Sequence, residues 1–550
     1  VASDNNNFDV VVIGGGVAGL CAAIAAHDGG AKTLLLEASA TVGGTASWSG
    51  GAAWFPLNRH LQQAGGNDSR EAALAYMRTC AEGKADEAVF TEFLDQAASV
   101  MDYLEENTPI EFEMGTMPDY QGGLEGGCYD PKFSRSVCPQ VFQLGRLKEN
   151  ISLYRNVPSY EGAMSTPFTF QETARMKDGS ISPDQIQALY KERMEGNYVG
   201  MGAALTASLF LGVLERDIDI RVNARARHLP GSGRVNTVEV ETETGTEIIS
   251  ASKGVIVCTG GYEFDDEIVE RNFPGVKFYP ATLPSNRGDG FRMAEERNAA
   301  IGNEGVCWGW PSYIVPGEEL EEGGPIVRSS LTERALPHMI VINQQGQRFA
   351  DETLPYHTIL KDLIAKDGSG EFANLPAWHL FDQQFRNKYN FGPVKPGNPV
   401  PDWMFCFDTI EELAAALDID AKALQQTLDG FNADVEKGVD SQFHRGEEPY
   451  GQFWGDQSNK PTANLGTVKQ GPFYAVEMLP SNIGTCGGPK VSPQGEVLDK
   501  NGNRIQGLYA AGNVTAGFSG PAYFGPGATI GPAMVFGVLA ARAAVANNKN

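Results

Sequence analysis

Hydrophobic residues fall along this chain in three rhythms, and each predicts a kind of element. Asp9-Val10-Val11-Val12-Ile13 and Thr33-Leu34-Leu35-Leu36 are apolar runs without polar alternation, which predicts strands buried on both faces. Residues 20–26 between them are rich in alanine and read as helix. Residues 71–104 carry apolar side chains at helical spacing and predict amphipathic helices; 182–214 also reads as helix, and 218–240 as strands. Residues 128–173 contain prolines and show no regular period, which predicts a loop or an insertion over a site. From about 281 the character changes to aromatics, prolines and one helical block at 409–434, and it changes back near 472. An apolar helix, 533–544, follows close to the C-terminus.

Gly14-Gly15-Gly16-Val17-Ala18-Gly19 joins the first strand to the first helix. Glycines at this spacing allow a tight turn, the approach of a pyrophosphate and close helix–strand packing, with the helix N-terminus facing the phosphates. Glu37 ends the second strand about 20 residues on, where a carboxylate accepts hydrogen bonds from ribose hydroxyls. A GxGxxG alone is a weak signal. Strand, turn, helix, strand and acid in that order are a strong one for nucleotide binding. A second cluster, Thr41-Val42-Gly43-Gly44-Thr45 with Ser47, Ser49, Gly50 and Gly51, lets the backbone run beside a larger cofactor. The predicted fold class is α/β: a Rossmann-type domain built from 1–280 and 473–550, with an α+β catalytic (substrate or cap) domain, 281–472, inserted in it.

Composition narrows the partners. At roughly 100–200 residues per domain, 550 residues allow more than one domain. A formal net charge of −26 argues against nucleic acid, whose binding is driven by Lys and Arg, and against docking on anionic lipid through a polybasic face. The eight cysteines form no CxxC pair and the seven histidines no metal spacing, so neither a metal site nor a disulfide framework is expected. Residues 1–7 are polar, and no stretch approaches the ~18 apolar residues of a spanning helix. The expectation is a cytoplasmic protein.

The order of these pieces resembles the FAD-binding flavoproteins of the fumarate reductase type. Val255-Ile256-Val257-Cys258-Thr259-Gly260-Gly261 is similar to their strand returning to the FAD domain, Gly288-Asp289-Gly290 to their "GDG" turn, and Leu508-Tyr509-Ala510-Ala511-Gly512-Asn513 to the strand and turn that close around the ribityl chain. The resemblance implies an FAD-binding domain with Gly14, Gly16, Gly19, Glu37, Gly43, Gly44, Ser47, Gly51, Gly261, Asp289, Gly512, Asn513 and Ile530 at the cofactor. No histidine follows Gly44, so the FAD is expected to be non-covalent.

The run Gly520-Pro521-Ala522-Tyr523-Phe524-Gly525-Pro526-Gly527-Ala528-Thr529-Ile530 is a Gly/Pro turn feeding the last helix, and it resembles the 3-ketosteroid Δ1-dehydrogenases. In that group the matching tyrosine and glycine bind the steroid C3 carbonyl, which implies the roles of Tyr523 and Gly527. Gly346-Gln347-Arg348-Phe349-Ala350-Asp351-Glu352 followed by Tyr356, and Met117-Pro118-Asp119-Tyr120, resemble two further segments of that group. They imply a tyrosinate base, Tyr356, supported by a hydrogen bond from Tyr120. Fumarate reductases place an arginine proton donor near the Tyr356 position, and they carry a histidine in the segment that here reads Ile483-Gly484-Thr485-Cys486-Gly487-Gly488. Trp308, Trp310 and Tyr313 are candidates for an apolar steroid slot, or plain core; His357 is read as incidental. Alternatives are a Δ4-(5α)-ketosteroid dehydrogenase, a flavin ene-reductase, and a non-catalytic electron-relay flavoprotein. Steroid side-chain preference, the electron acceptor, oligomeric state and a peripheral membrane contact stay open.

Overall fold

The computed structural model describes residues 6–130, 132–155, 166–177, 179–320 and 323–546. Part of the irregular segment read at 128–173, namely 131 and 156–165, lies outside the described residues, as do 1–5 of the polar start. The chain divides into two compact units, Val1–Phe273 with Thr282–Cys307 and Gly484–Asn550, and Pro274–Ala281 with Trp308–Ile483.

The first unit is built on a twisted sheet. Its strands run in the order Glu496–Leu498, Arg504–Ala510, Gly245–Val257, Asn7–Ile13, Thr33–Leu36 and Asp219–Arg221. All neighbours are parallel except the first pair. Val11 lies opposite Val255 on one side and Leu34 on the other, which is why these segments are continuously apolar. Arg225–His228 and Thr237–Thr242 extend the sheet as an antiparallel ribbon. The helix Val17–Asp28 is buried from Val17 to Ala26 and packs against the C-terminal helix Ile530–Ala546. The amphipathic stretch forms two helices, Arg70–Ala81 and Glu87–Asn107, capped by the Ser69 and Asp86 side chains; such caps contribute about 1 kcal/mol each. Residues 182–214 also form two helices, Pro183–Glu195 and Met201–Leu214, separated by the short strand Tyr198–Val199.

The second unit centres on an antiparallel sheet with strands in the order Met339–Asn343, Ala377–Asp382, Phe473–Met478 and Phe405–Phe407. Side chains alternate across it. Ile340, Ile342, Leu380 and Ala475 meet the helices Ile410–Ala416 and Ala421–Lys437, while Met339, Phe381, Tyr474 and Val476 join an aromatic cluster with Phe385 and Phe391. This unit and the expected insertion, 281–472, differ at both ends. Phe473–Met478 pairs residue for residue with Ala377–Asp382, so it lies in the second unit. The helix Asp289–Glu296 is held to the sheet of the first unit through Asp289 and Arg225. A shift in composition marks where residue types change, not which strand a segment joins. No helix among the described residues is long and apolar enough to cross a membrane.

Candidate active site

The candidate nucleotide cradle is set by backbone geometry. Gly14 has φ +106°, and a Cβ there would stand 2.4 Å from the Cys258 carbonyl oxygen. A Cβ on Gly19 would stand 1.8 Å from the carbonyl oxygen of Gly14, so only glycine lets the first helix begin this close to the strand end. Gly16 stands at the N-cap of that helix without a side-chain cap, and a Cβ there would meet nothing within 4 Å. Open space at uncapped helical N–H groups fits a pyrophosphate.

Glu37 is buried at the end of the second strand. Its carboxylate accepts from the Gly15 N–H (2.8 Å) and the Ser39 N–H (2.7 Å), which fixes its orientation and leaves lone pairs for ribose hydroxyls. The Gly43 N–H donates to the Gly15 carbonyl (3.0 Å), joining the two glycine clusters. Ser47 is buried and donates to the Gly44 carbonyl (2.8 Å), while Gly51 lies against the Met201 backbone. Gly261 lies over Glu263 and Thr485, whose N–H donates to Glu263 Oε1 (2.7 Å). Gly512 and Asn513 follow the strand Arg504–Ala510, and Ile530 opens the last helix. Asp289 is placed differently from the other cofactor candidates: its carboxylate is paired with Arg225 (2.5 Å) and Arg227 (3.3 Å). Its visible work is to hold its helix on the sheet.

Three of the four expected catalytic residues come together in the first unit. The Tyr120 and Tyr523 rings stack at 5.4 Å with 8° between their planes, and the Tyr120 N–H donates to the Phe524 carbonyl (3.0 Å). Both tyrosines are buried. Gly527 has φ +81°, and a Cβ there would stand 2.1 Å from the Ala52 carbonyl oxygen. Its carbonyl accepts from the Trp54 (3.1 Å) and Gly531 (2.9 Å) N–H groups, and among the described residues no protein acceptor takes its own N–H. Beneath these residues lies a buried cluster of Asp68, Asp119 and Arg135, in which sequence reasoning saw nothing except Asp119 as part of a turn.

Tyr356 belongs to the second unit. It is the first residue of the helix Tyr356–Leu363, is buried, and meets the Trp310 ring edge-to-face at 4.6 Å. Burial, reinforced by the charge of Lys361, holds the His357 imidazole down to about 3, so it adds no positive charge beside Tyr356. The segment before Tyr356 is pinned by buried arginines. Arg334 donates to the carbonyls of Glu352 and Leu354, while the Glu352 carboxylate bridges Arg348 (2.7 Å) and Arg445 (3.0 Å). Arg348 also pairs with Asp440 (2.8 Å). Of the aromatic candidates, Trp310 lies at Tyr356, whereas Tyr313 packs in the aromatic core with its phenol donating to Glu333 (3.3 Å).

Comparison with known proteins agrees with this architecture. The profile of the family described as FAD binding domain matches residues 9–530. The chain is 33% identical to a 3-oxosteroid 1-dehydrogenase of Mycobacterium tuberculosis, over 97% of each chain. It is 32% identical to a 4-oxocyclohexanecarboxylate 2-dehydrogenase of Sinomonas cyclohexanicum, over 98% of this chain and 93% of that one. Among solved structures it is similar to a 3-ketosteroid Δ1-dehydrogenase of Sterolibacterium denitrificans in complex with 1,4-androstadiene-3,17-dione, with a TM-score of 0.91 and 30% identity over 99% of this chain and 100% of that one. A flavocytochrome c3 fumarate reductase shares the fold at 21% identity and a TM-score of 0.65. The chain therefore belongs to the FAD-binding-domain flavoproteins and, within them, to the family of the 3-oxosteroid 1-dehydrogenases.

Proposed function

We propose that this protein is an FAD-dependent dehydrogenase that desaturates C1–C2 of a 3-ketosteroid. The observation that carries the reading is the buried Tyr523 and the half-buried Gly527 on one short segment: a phenol, and a main-chain N–H that no acceptor among the described residues takes. Two donors converging on a ketone oxygen stabilise the enolate charge that develops when the α-carbon loses a proton, and losing one such donor costs about 2.7–4 kcal/mol in other enzymes. Tyr356 is the base for the C2 proton. A free tyrosine has a pKa of about 10, so a phenolate needs support, and the helix N-terminus at which Tyr356 stands favours negative charge there. FAD, when bound, supplies the acceptor for the C1 hydride.

The names of the relatives support position 1 over Δ4, since those sharing a third of their residues with this chain are 1-dehydrogenases. A second reading follows from the Sinomonas relative, whose name specifies desaturation of a monocyclic oxo acid. It uses the same carbonyl chemistry on a smaller ring. Incubation with androst-4-ene-3,17-dione or with 4-oxocyclohexanecarboxylate, each with an artificial electron acceptor, separates the two. A 1,4-dien-3-one from the steroid supports the first reading; turnover of the oxo acid alone supports the second. Tyr356→Phe is expected to abolish turnover with the flavin spectrum intact, and retained activity would remove Tyr356 from the mechanism.

A further inference from the structure

The charged cluster under the two stacked tyrosines has a geometry that a purely apolar core could not supply. Arg135, Asp68 and Asp119 are almost wholly inaccessible, with side chains 2%, 4% and 1% exposed. Arg135 forks across both carboxylates: Nη1 donates to Asp119 (2.8 Å), Nη2 and Nε donate to Asp68 (2.7 and 3.1 Å), and Nη2 also reaches the Gly126 carbonyl (2.7 Å). Burial works against the guanidinium charge, yet Asp119 and Asp68 outweigh it and keep Arg135 protonated. The second oxygen of Asp119 accepts from Trp54 Nε1 (2.8 Å).

From that carboxylate, short bonded paths lead to each residue of the proposed clamp. Tyr120 is its neighbour in sequence, and the Tyr120 N–H holds the Phe524 carbonyl next to Tyr523 (3.0 Å). Trp54, bonded to Asp119 by its indole, donates its backbone N–H to the Gly527 carbonyl (3.1 Å), which sets the orientation of the peptide that follows Gly527, whereas the Gly527 N–H lies in the preceding peptide, with the Pro526 carbonyl. Two further bonds fix the intervening segment: Tyr76 Oη donates to the Phe524 carbonyl (2.6 Å), and Ser136, adjacent to Arg135, donates to the Pro526 carbonyl (2.6 Å). Gly525 packs tightly on this cluster, since a Cβ would stand 3.0 Å from the Trp54 ring and 3.1 Å from Asp119 Oδ1, so a side chain there would push on both.

We propose that Asp119, locked by Arg135 and Asp68, is the positioning residue of the carbonyl clamp, fixing Tyr523 and the Gly527 amide relative to one another through Tyr120, Trp54 and, by way of Arg135, Ser136. The inference rests on the clamp reading given above. Hydrogen bonds have direction, so this cluster fixes the separation and tilt of two donors that must meet at one oxygen, whereas apolar contacts would leave them free to slide. Donors placed for an enolate act mainly in the transition state, and a misplacement near 1 Å costs about 100-fold. Disturbing Asp119 therefore lowers kcat more than it alters KM.

The test uses the holoenzyme and the variant Asp119→Asn, which keeps the side-chain shape and an acceptor for Trp54 but breaks the charge pair with Arg135. Two quantities are read beside FAD content. One is the kcat and KM for androst-4-ene-3,17-dione. The other is the rate at which C2 of that ketone takes up deuterium from D2O on enzyme whose flavin has been reduced with dithionite, a step that needs the clamp and the base but no hydride transfer. The expected result is a fall of about 10- to 100-fold in kcat and an equal fall in exchange, with KM nearly unchanged and full FAD occupancy. Arg135→Lys, which retains the charge but cannot fork, is expected to lie between wild type and Asp119→Asn. If Asp119→Asn does not fold, Trp54→Phe removes the indole bond while keeping an aromatic ring and the backbone N–H, and is expected to slow both steps about 10-fold. Wild-type rates in these variants, or losses that merely follow lost FAD, overturn the proposal. Tyr523→Phe is run in parallel. A fast Tyr523→Phe brings down the clamp itself, whereas a slow Tyr523→Phe beside a fast Asp119→Asn brings down only the positioning role.

Discussion

Replacing Glu352 by glutamine tests whether the buried ion cluster ahead of Tyr356 holds the second unit together. The Glu352 carboxylate meets Arg348 at 2.7 and 2.8 Å and Arg445 at 3.0 Å, and it accepts the Val341 N–H at 3.2 Å. With Asp440 the cluster holds two positive and two negative charges, every side chain no more than 1% exposed. Glu352→Gln preserves the volume but leaves one guanidinium charge uncompensated in a dry interior. Removing one partner of such a pair costs about 3–5 kcal/mol. An exposed pair of the same unit gives the contrast: Glu436, 63% exposed, lies 2.8 Å from Lys469, and Glu436→Gln is expected to leave stability nearly unchanged. The assay is urea unfolding followed by tryptophan fluorescence, because Trp308, Trp310, Trp378, Trp403 and Trp454 all lie in the second unit. At roughly 2 kcal/mol per molar urea for a unit of this size, Glu352→Gln should lower the midpoint by about 2 M. A shift as small as that of Glu436→Gln would refute the claim that this cluster is electrostatically dry.

Two further outcomes follow from the same geometry. Gly19→Ala forces a Cβ against the Gly14 carbonyl oxygen, 1.8 Å away, so the helix start must retreat; titrating apoprotein with FAD should show affinity weakened at least about tenfold, and an unchanged Kd would remove this helix from the cofactor site. Burial alone would raise the Asp440 carboxyl, but the hydrogen bonds and charge of Arg348 outweigh it and hold the group at about 2. A depressed carboxyl stabilises the fold above its unfolded pKa near 4, and that contribution is lost as pH falls through about 2. The drop is worth about 2 kcal/mol. Unfolding curves between pH 5 and 2 should therefore show wild type losing its advantage over Asp440→Asn, and parallel curves would contradict the assignment.

Local signals were legible in the sequence and distant ones were not. Gly14, Gly19 and Glu37 act within one strand–helix–strand unit, so their spacing carried the cradle. The motif segments of Tyr120, Tyr523 and Gly527 were each readable, and folding places all three in the first unit. Their support was not readable, because Arg135 meets Asp68 across 67 positions; nor was that of Tyr356, where Arg348 meets Asp440 across 92. Such pairs have no period and no local signature. Tyr313 and Trp310 looked equivalent as aromatics near one another, yet neighbouring positions on the same stretch send one into the aromatic core and the other to Tyr356. Asp289 shows the converse. Its motif pointed to the cofactor, while two arginines from a strand more than sixty positions earlier occupy its carboxylate.

The sheet of the first unit orders events during synthesis. Asn7–Ile13 has as its inner neighbour Gly245–Val257, and that strand is flanked in turn by Arg504–Ala510. Asn7–Ile13 can pair early with Thr33–Leu36, but its partner on the other side is made hundreds of residues later, and the helix behind it waits for Ile530–Ala546. Pro274–Ala281 and Trp308–Ile483 have every strand of their own sheet in hand before the last seventy residues appear. Domains generally fold as units while the chain is being made, so the inserted unit matures first and the nucleotide cradle last. Cofactor capture then waits until Ile530–Ala546 has been made, and until Gly245–Val257 appears one edge of the apolar strand Asn7–Ile13 stays unpaired and open to wrong partners.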